Sequence, residues 1–335
     1  MELLLNGSRY DFFNDVDVTL SFDSVASTFG FSFLPNDFKD LKSVLKYPSV
    51  KVIEGRETLI FGTIINNTFN SKPTSSLTAI SGYSNTGILQ DCTTPINIYP
   101  LQSDNLTLLQ IAQKLTQPFN VGVIVDSSAQ SEVNQVFEKS ELNATETIAS
   151  YLSSLATQKN IVLSHDNKGN IVFTKAKTNQ KPVEILTTAL SMVLSINGQQ
   201  LHRTITVVKQ TDTDGGNAGQ STVTNPFCSI NRTKTVTQNK GDDNDTQLVA
   251  RAVLGAELKN IKLTVSLDRW VDSNGNLFKP NTLISIINQD LLIFDKTNFF
   301  IESVNFVRNS NGKSCTLNCV LPSVYDNSKV INIFE

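Results

Sequence analysis

The residues able to do chemistry are few, and none stands in a pattern that completes a reaction. The chain has two histidines, His165 and His202. His165 precedes Asp166 in a stretch that reads as a turn. Adjacency alone builds no catalytic pair, because a nucleophile must also reach the imidazole. His202 stands beside Arg203 ahead of a strand and reads as a packed or solvated side chain. Asp212-x-Asp214-Gly215 opens like a calcium loop, but the twelfth position, where a bidentate Glu belongs, is Val223. A flexible loop is expected there instead. Cys92, Cys228, Cys315 and Cys319 fit no zinc spacing. On an extended strand Cys315 and Cys319 share a face and read as small buried hydrophobes. Glu54, Glu57 and Glu146 are carboxylates of the kind glycoside hydrolysis uses, yet each has a simpler place in a turn or a helix cap. The single tryptophan, Trp270, reads as an anchor at a strand end. No G-x-S-x-G, G-x-x-x-x-G-K-[ST] or G-x-G-x-x-G stretch occurs. The expectation is a protein that is not an enzyme, with no catalytic, cofactor-binding or metal residues and no cofactor.

The elements that would have to position such residues are mostly strands. Asn6-Gly7 reads as a turn between Leu3-Leu4-Leu5 and the segment from Tyr10 to Phe13. Val16, Val18, Leu20 and Phe22 alternate with polar residues, as do Phe29, Phe31 and Phe33, the period of a half-buried strand. Val50 and Val52, a turn at Glu54-Gly55-Arg56, Thr58 to Ile65 and Leu77 to Gly82 continue the style. Near residue 100 the period changes. Leu108, Ile111, Ala112 and Leu115 mark one face of a helix that Pro118 stops, and Val121 to Val125 reads as a buried strand. Asn143 and Glu146 have capping-box spacing before the apolar face Ile148, Tyr151, Leu152 and Leu155. A hairpin follows, Ile161 to Leu163 and Ile171 to Phe173, turning through Asp166 to Gly169.

Strands then return. Thr204 to Lys209 alternates, the stretch 211–228 reads as a polar, Gly-rich loop, and the acidic run at 242–245 precedes a short helix near 246–259. Ile261 to Leu267, Leu283 to Ile287, Leu291 to Phe294, Phe299 to Phe306 and Ser314 to Leu321 complete the strands. The expected fold class is β-rich α+β, two similar β-barrel, tube-like domains flanking a small α/β module; the strand spacing by itself fits a barrel or a sandwich. The boundaries are 1–97 for the first barrel, 98–178 for the module and 179–335 for the second barrel.

Size and charge narrow the function. At 335 residues the chain is too long for one ordinary core. Its 39% hydrophobic and 18% charged residues exclude the composition of a disordered protein. A net charge of -3, from 28 basic and 31 acidic residues, excludes a dedicated nucleic-acid binder, which needs a basic surface to displace counterions. The start, Met1 to Gly7, lacks the basic and apolar regions of a signal peptide, and no apolar run is long enough for a membrane span. A protein made and kept in a cytoplasm until assembly or lysis is expected.

The order of features resembles the Mu-like baseplate hub family of contractile phage tails, the tail protein P family. Leu4 to Gly7 followed by Val16 to Phe33 resembles its first hairpin and Phe-x-Phe strand. Ile80 to Cys92 is similar to its S-G-x-S-x-x-G-x-L-x-D-C block. Leu109 to Val123, Glu146 to Lys175, and Arg269-Trp270 with Gly275-x-Leu277-Phe278, Asn281 and Leu321-Pro322 resemble later segments. Arg269 stands where the pattern has a Gly, and Phe278 where it has a Trp. The resemblance implies a virion structural protein of the tail baseplate, assembled in the host cytoplasm. It implies a homotrimer whose six barrels join a six-fold tail tube to a three-fold central spike and let DNA pass. Its partners would be its own copies, the spike, tail tube or tube-adaptor proteins and baseplate wedge proteins, without specific nucleic-acid recognition. The alternatives are a hub of a bacterial contractile injection system and a tail-associated peptidoglycan hydrolase.

Overall fold

The computed structural model describes residues 1–335 except 11–12, 35–40, 72–76, 211–216, 239–244, 327–329 and 335. The chain folds as two compact units, one of Met1–Lys175 with Ser303–Cys315, the other of Ala176–Glu302 with Thr316–Glu335. The fold is β-rich α+β, as the alternation of apolar and polar residues requires.

The first unit opens with β1 (Glu2–Leu5), β2 (Ser8–Tyr10), β3 (Asp15–Ser21), β4 (Thr28–Phe33), β5 (Ser49–Glu54), β6 (Glu57–Asn70) and β7 (Leu77–Ser84). They lie in the order β2-β1-β5-β6-β7-β4-β3, every neighbouring pair antiparallel. Ser303–Arg308 extends this array past β3. In β3, Val16 and Val18 are buried while Asp15 and Asp17 are exposed, the two-residue period that sets its facing. The β1–β2 turn is Asn6-Gly7, with φ of 46° and 85°, the conformation a two-residue hairpin loop demands. β6 and β7 approach so closely that a Cβ on Gly62 would lie 2.0 Å from the Tyr83 carbonyl oxygen, and one on Gly82 2.0 Å from that of Thr63.

The helical module follows within the same unit. It holds α1 (Ile88–Asp91), β8 (Leu106–Thr107), α2 (Leu108–Thr116), β9 (Val123–Val125), α3 (Gln130–Val133), β10 (Val136–Phe137), α4 (Ile148–Gln158), β11 (Val162–His165) and β12 (Ile171–Thr174). The two expected apolar faces, on α2 and α4, are buried and share one core with Leu163, Ile171 and Phe173. Thr107 and Gln110 form a reciprocal capping box for α2: Thr107 Oγ1 accepts from Gln110 N at 3.3 Å, and Gln110 Oε1 from Thr107 N at 2.9 Å. The box expected at Asn143 and Glu146 is not the cap of α4. Thr147 caps it, accepting from Ser150 N at 3.3 Å. Asn143 lies one turn too early and closes the preceding loop, its Oδ1 accepting from Thr145 N at 3.0 Å. β12 pairs antiparallel with β11 and parallel with β9, and the strand expected from Val121 begins at Val123.

The second unit contains β13 (Glu184–Leu186), β14 (Ser191–Ile196), β15 (Thr204–Gln210), β16 (Asn217–Thr224), β17 (Thr233–Gln238), α5 (Thr246–Leu258), β18 (Ile261–Leu267), β19 (Leu283–Asn288), the Ile293–Glu302 part of β20 (Ile293–Asn309), the Thr316–Val320 part of β21 (Gly312–Val320), and α6 (Ser323–Asp326). One sheet runs β14-β18-β21-β20, with β19 antiparallel to β20 and β13 parallel to β19. A second, β16-β15-β17, packs through β15 and β16 against α5, and Ile205, Val207, Ala250 and Leu254 are buried. Asp245 caps α5, accepting from Gln247 N at 3.0 Å.

Two expectations are corrected here. Residues 217–224 of the supposed polar loop are strand β16, paired with β15 along its length; Thr222 and Thr224 alternate there as β-branched strand residues do. Asp212, Asp214 and Gly215 lie outside the described residues. The separate strands expected at Leu291–Phe294 and Phe299–Phe306 are one strand, β20. Its polar stretch at 295–298 is no turn, because Thr297 and Asn298 pair with Ile286 and Ser285 of β19.

Candidate functional site

His165 ends β11 and reaches the segment between β3 and β4. Its Nε2 lies 2.7 Å from Ser27 Oγ and its Nδ1 2.8 Å from the Ser24 carbonyl oxygen. A carbonyl only accepts, so Nδ1 carries the proton and Nε2 accepts the Ser27 hydroxyl proton. A serine facing a histidine held from its other side has the outline of an activated nucleophile. Here it is closed to substrate. Ser27 is 3% exposed, its Oγ also accepts from Ser21 N at 3.2 Å, and its own N donates to Ser84 Oγ at 3.1 Å. What the pair does is fasten the module's hairpin to the strands. Burial pushes the imidazole below its ordinary range, against the opposing pull of the Ser24 carbonyl and the Asp166 carboxylate. Asp166 is not the partner of His165. Its Oδ1 accepts from Lys168 N and Asn170 N, each at 2.9 Å, and so closes the expected turn.

Two further polar clusters stand in the second unit. Glu257, 5% exposed, accepts from His202 N at 2.9 Å, lies 2.8 Å from His202 Nδ1 and pairs with Lys234 Nζ at 3.0 Å. His202 is thus neither simply packed nor solvated; it is part of a buried carboxylate's cage. Arg269 Nη2 pairs with Glu184 Oε1 at 2.5 Å while its Nε donates to the Val271 carbonyl at 3.1 Å. That pair joins the end of β18 to the short parallel strand β13. Among the described residues neither cluster includes a Ser, Thr or Cys side chain.

The other residues singled out in the sequence fall apart. Glu54 ends β5, 3.8 Å from Lys313 Nζ, Glu57 begins β6, and Glu146 accepts from Ser150 Oγ at 3.0 Å. Trp270 is buried and its carbonyl accepts from Phe278 N at 3.1 Å. Cys315 and Cys319 are buried on β21, and burial pushes the Cys315 thiol up to about 12, far from a reactive thiolate. Across β3, β4, β6 and β7 lies a cleft of about 410 Å³ with Asp15, Asp17, Ser32, Asn66 and Ser81 on its walls and Gly30 among them. Its polar groups are carboxylate, hydroxyl and amide, set beside Val16, Phe31, Ile80 and Val307. Among the described residues no group of three or more His, Cys, Asp or Glu is placed to hold a metal, and no helix is long and apolar enough to cross a membrane.

What remains distinctive is the fold itself: strand-rich segments on either side, in sequence, of a helical module. It is the fold of Mu-type prophage tail proteins. The chain is similar to the 43 kDa tail protein of prophage MuSo2 from Shewanella oneidensis, with a TM-score of 0.82 and 21% identity over 97% of this chain and 99% of that one. It is similar to a tail protein from Neisseria meningitidis MC58, with a TM-score of 0.80 and 19% identity over 97% of each chain. A more distant likeness, TM-score 0.57 and 9% identity over 96% of this chain and 77% of that one, is to the E. coli c3393 protein. That protein is a component of the type VI secretion system with structural similarity to the T4 bacteriophage tail proteins gp27 and gp5. Residues 86–175 match the family model "Baseplate hub protein gp44-like, second domain". The matched stretch spans the helical module, whose single core is shared by α2 and α4. A comparison with curated protein sequences finds no match. The resemblance to Mu-like baseplate hubs read from the sequence is borne out by these findings.

Proposed function

We propose that this chain is the structural baseplate hub subunit of a contractile phage tail, without enzymatic activity. Three copies form a ring that adapts a six-fold tail tube to a three-fold central spike and leaves a passage for DNA. The strand-rich domains 1–97 and 179–335 build the ring, and the module 98–178 hangs outside it. The partners are the other two copies, the spike, tube or tube-adaptor proteins and wedge proteins. The site of action is the virion, after assembly in the host cytoplasm.

The observation that carries this reading is the likeness to the MuSo2 tail protein across nearly all of both chains. The edge of the second unit's sheet supports it. β14 ends the strand order, holds neither charge nor proline, and leaves Val193 53% and Ile196 44% exposed. Unprotected edges of this kind invite pairing, and closed rings cover them. A net charge of -3 suits a passage through which DNA moves without sticking.

A hub of a bacterial contractile injection system is the second reading, favoured by the likeness to the type VI secretion component. Multi-angle light scattering of the purified full chain, alone and with its spike, tests the ring: a mass of three chains supports it, and a monomer in both samples overturns it. A wall-clearing zymogram tests the absence of activity; cleared peptidoglycan would make the chain a hydrolase.

A further inference from the structure

On the first unit, the β5–β6 turn and the β11–β12 turn face each other across a cleft of about 510 Å³, a size that suits a short polypeptide segment. Its lining holds three cations, Lys51, Arg56 and Lys168, against one carboxylate, Glu57. The excess is notable in a chain whose net charge is -3. Among the described residues none of the three cations has a carboxylate within ion-pair distance. Lys51 Nζ lies 5.6 Å from the centroid of the Phe61 ring, which lines the cleft beside it. The two walls are fixed to one another: Asn167 Nδ2 donates to the Thr58 carbonyl at 2.7 Å. The cations are therefore held on opposing surfaces that do not need to close before a ligand arrives.

We propose that this cleft docks an acidic polypeptide segment of a partner protein, its carboxylates taken by Lys51, Arg56 and Lys168. The inference rests on the reading of the chain as an assembly subunit. Three cations opposed by one carboxylate match two or three side-chain carboxylates on a short segment. They are too few for a nucleic acid, whose binding is driven by neutralising many phosphates along a continuous basic track. Thr58 and Asn167 add hydroxyl and amide groups suited to a peptide backbone, and Phe61 adds an apolar surface for side-chain methylenes.

The test is fluorescence anisotropy of labelled hexaglutamate titrated with the full chain, with inorganic phosphate and a single-stranded oligonucleotide of equal charge as competitors. Saturable, salt-sensitive binding is expected, weakened on the order of tenfold by the combined Lys51→Gln, Arg56→Gln and Lys168→Gln changes. Circular dichroism confirms that the variant is folded, and the single Lys168→Gln variant, on an exposed turn, gives a smaller loss if it is not. The proposal is overturned by absent hexaglutamate binding, by binding that ignores these changes, or by an oligonucleotide that displaces the peptide more strongly than free peptide does. None of these results alters the number of copies in the ring, so the hub reading stands or falls separately.

Discussion

His165 and Ser27 lie 138 positions apart in sequence and 2.7 Å apart in the structure, the imidazole accepting the hydroxyl proton. The pair sets a pH dependence. In the unfolded chain an imidazole titrates near its ordinary value of about 6.5. In the folded chain burial holds it lower. Protonation therefore favours the unfolded chain, and stability is level above the ordinary value and falls as pH drops from there toward the lowered folded one. Thermal melts between about pH 7.5 and about pH 5 should show Tm falling in wild type, with a shallower fall in His165→Gln. Equal slopes in the two proteins would refute the assignment.

Glu257 should be the most costly carboxylate to remove from the second unit. Glu257→Gln leaves His202 and Lys234 facing an amide in a site only 5% exposed. Breaking one side of a buried charged cluster costs about 2–4 kcal/mol, read from urea midpoints at unchanged m. A change of less than about 0.5 kcal/mol would show that the cage is solvated.

Much of this architecture was legible because strands and helices write different periods. Val16, Val18, Phe29 and Phe31 announced half-buried strands, and Ile111, Leu115, Leu152 and Leu155 announced the module's helices. Turn chemistry was equally readable. The turn expected from Asp166 closes by that Asp accepting from backbone N–H groups two and four residues on. What escaped was short or distant. β13 has three residues and owes its existence to parallel pairing with β19, about a hundred positions away. β17 and β16 border β15 in a polar, threonine-rich sheet whose apolar face is thin. Of the polar clusters, His165 with Ser27 and Glu257 with His202 join residues that no local pattern connects. The Thr147 cap was masked by an earlier Asn143 with the right spacing to Glu146.

Gly255 inverts a general rule about helices. Replacing an interior helical glycine by alanine normally stabilises by about 1 kcal/mol. Here the new Cβ would lie 2.7 Å from the Val324 carbonyl oxygen of α6, which packs on α5. Gly255→Ala should instead destabilise by about 1–3 kcal/mol, measured by chemical denaturation. A stabilised variant would mean that α6 does not hold its place against α5.

The measurement that bears most directly on the hub reading is a density map of the assembled tail tip. The account predicts this chain at the axis between tube and spike, in three copies, its β14 edges buried against neighbouring copies and an open passage at the centre. A map that places the chain off the axis, or at the axis as a single copy around a catalytic cleft, would contradict it.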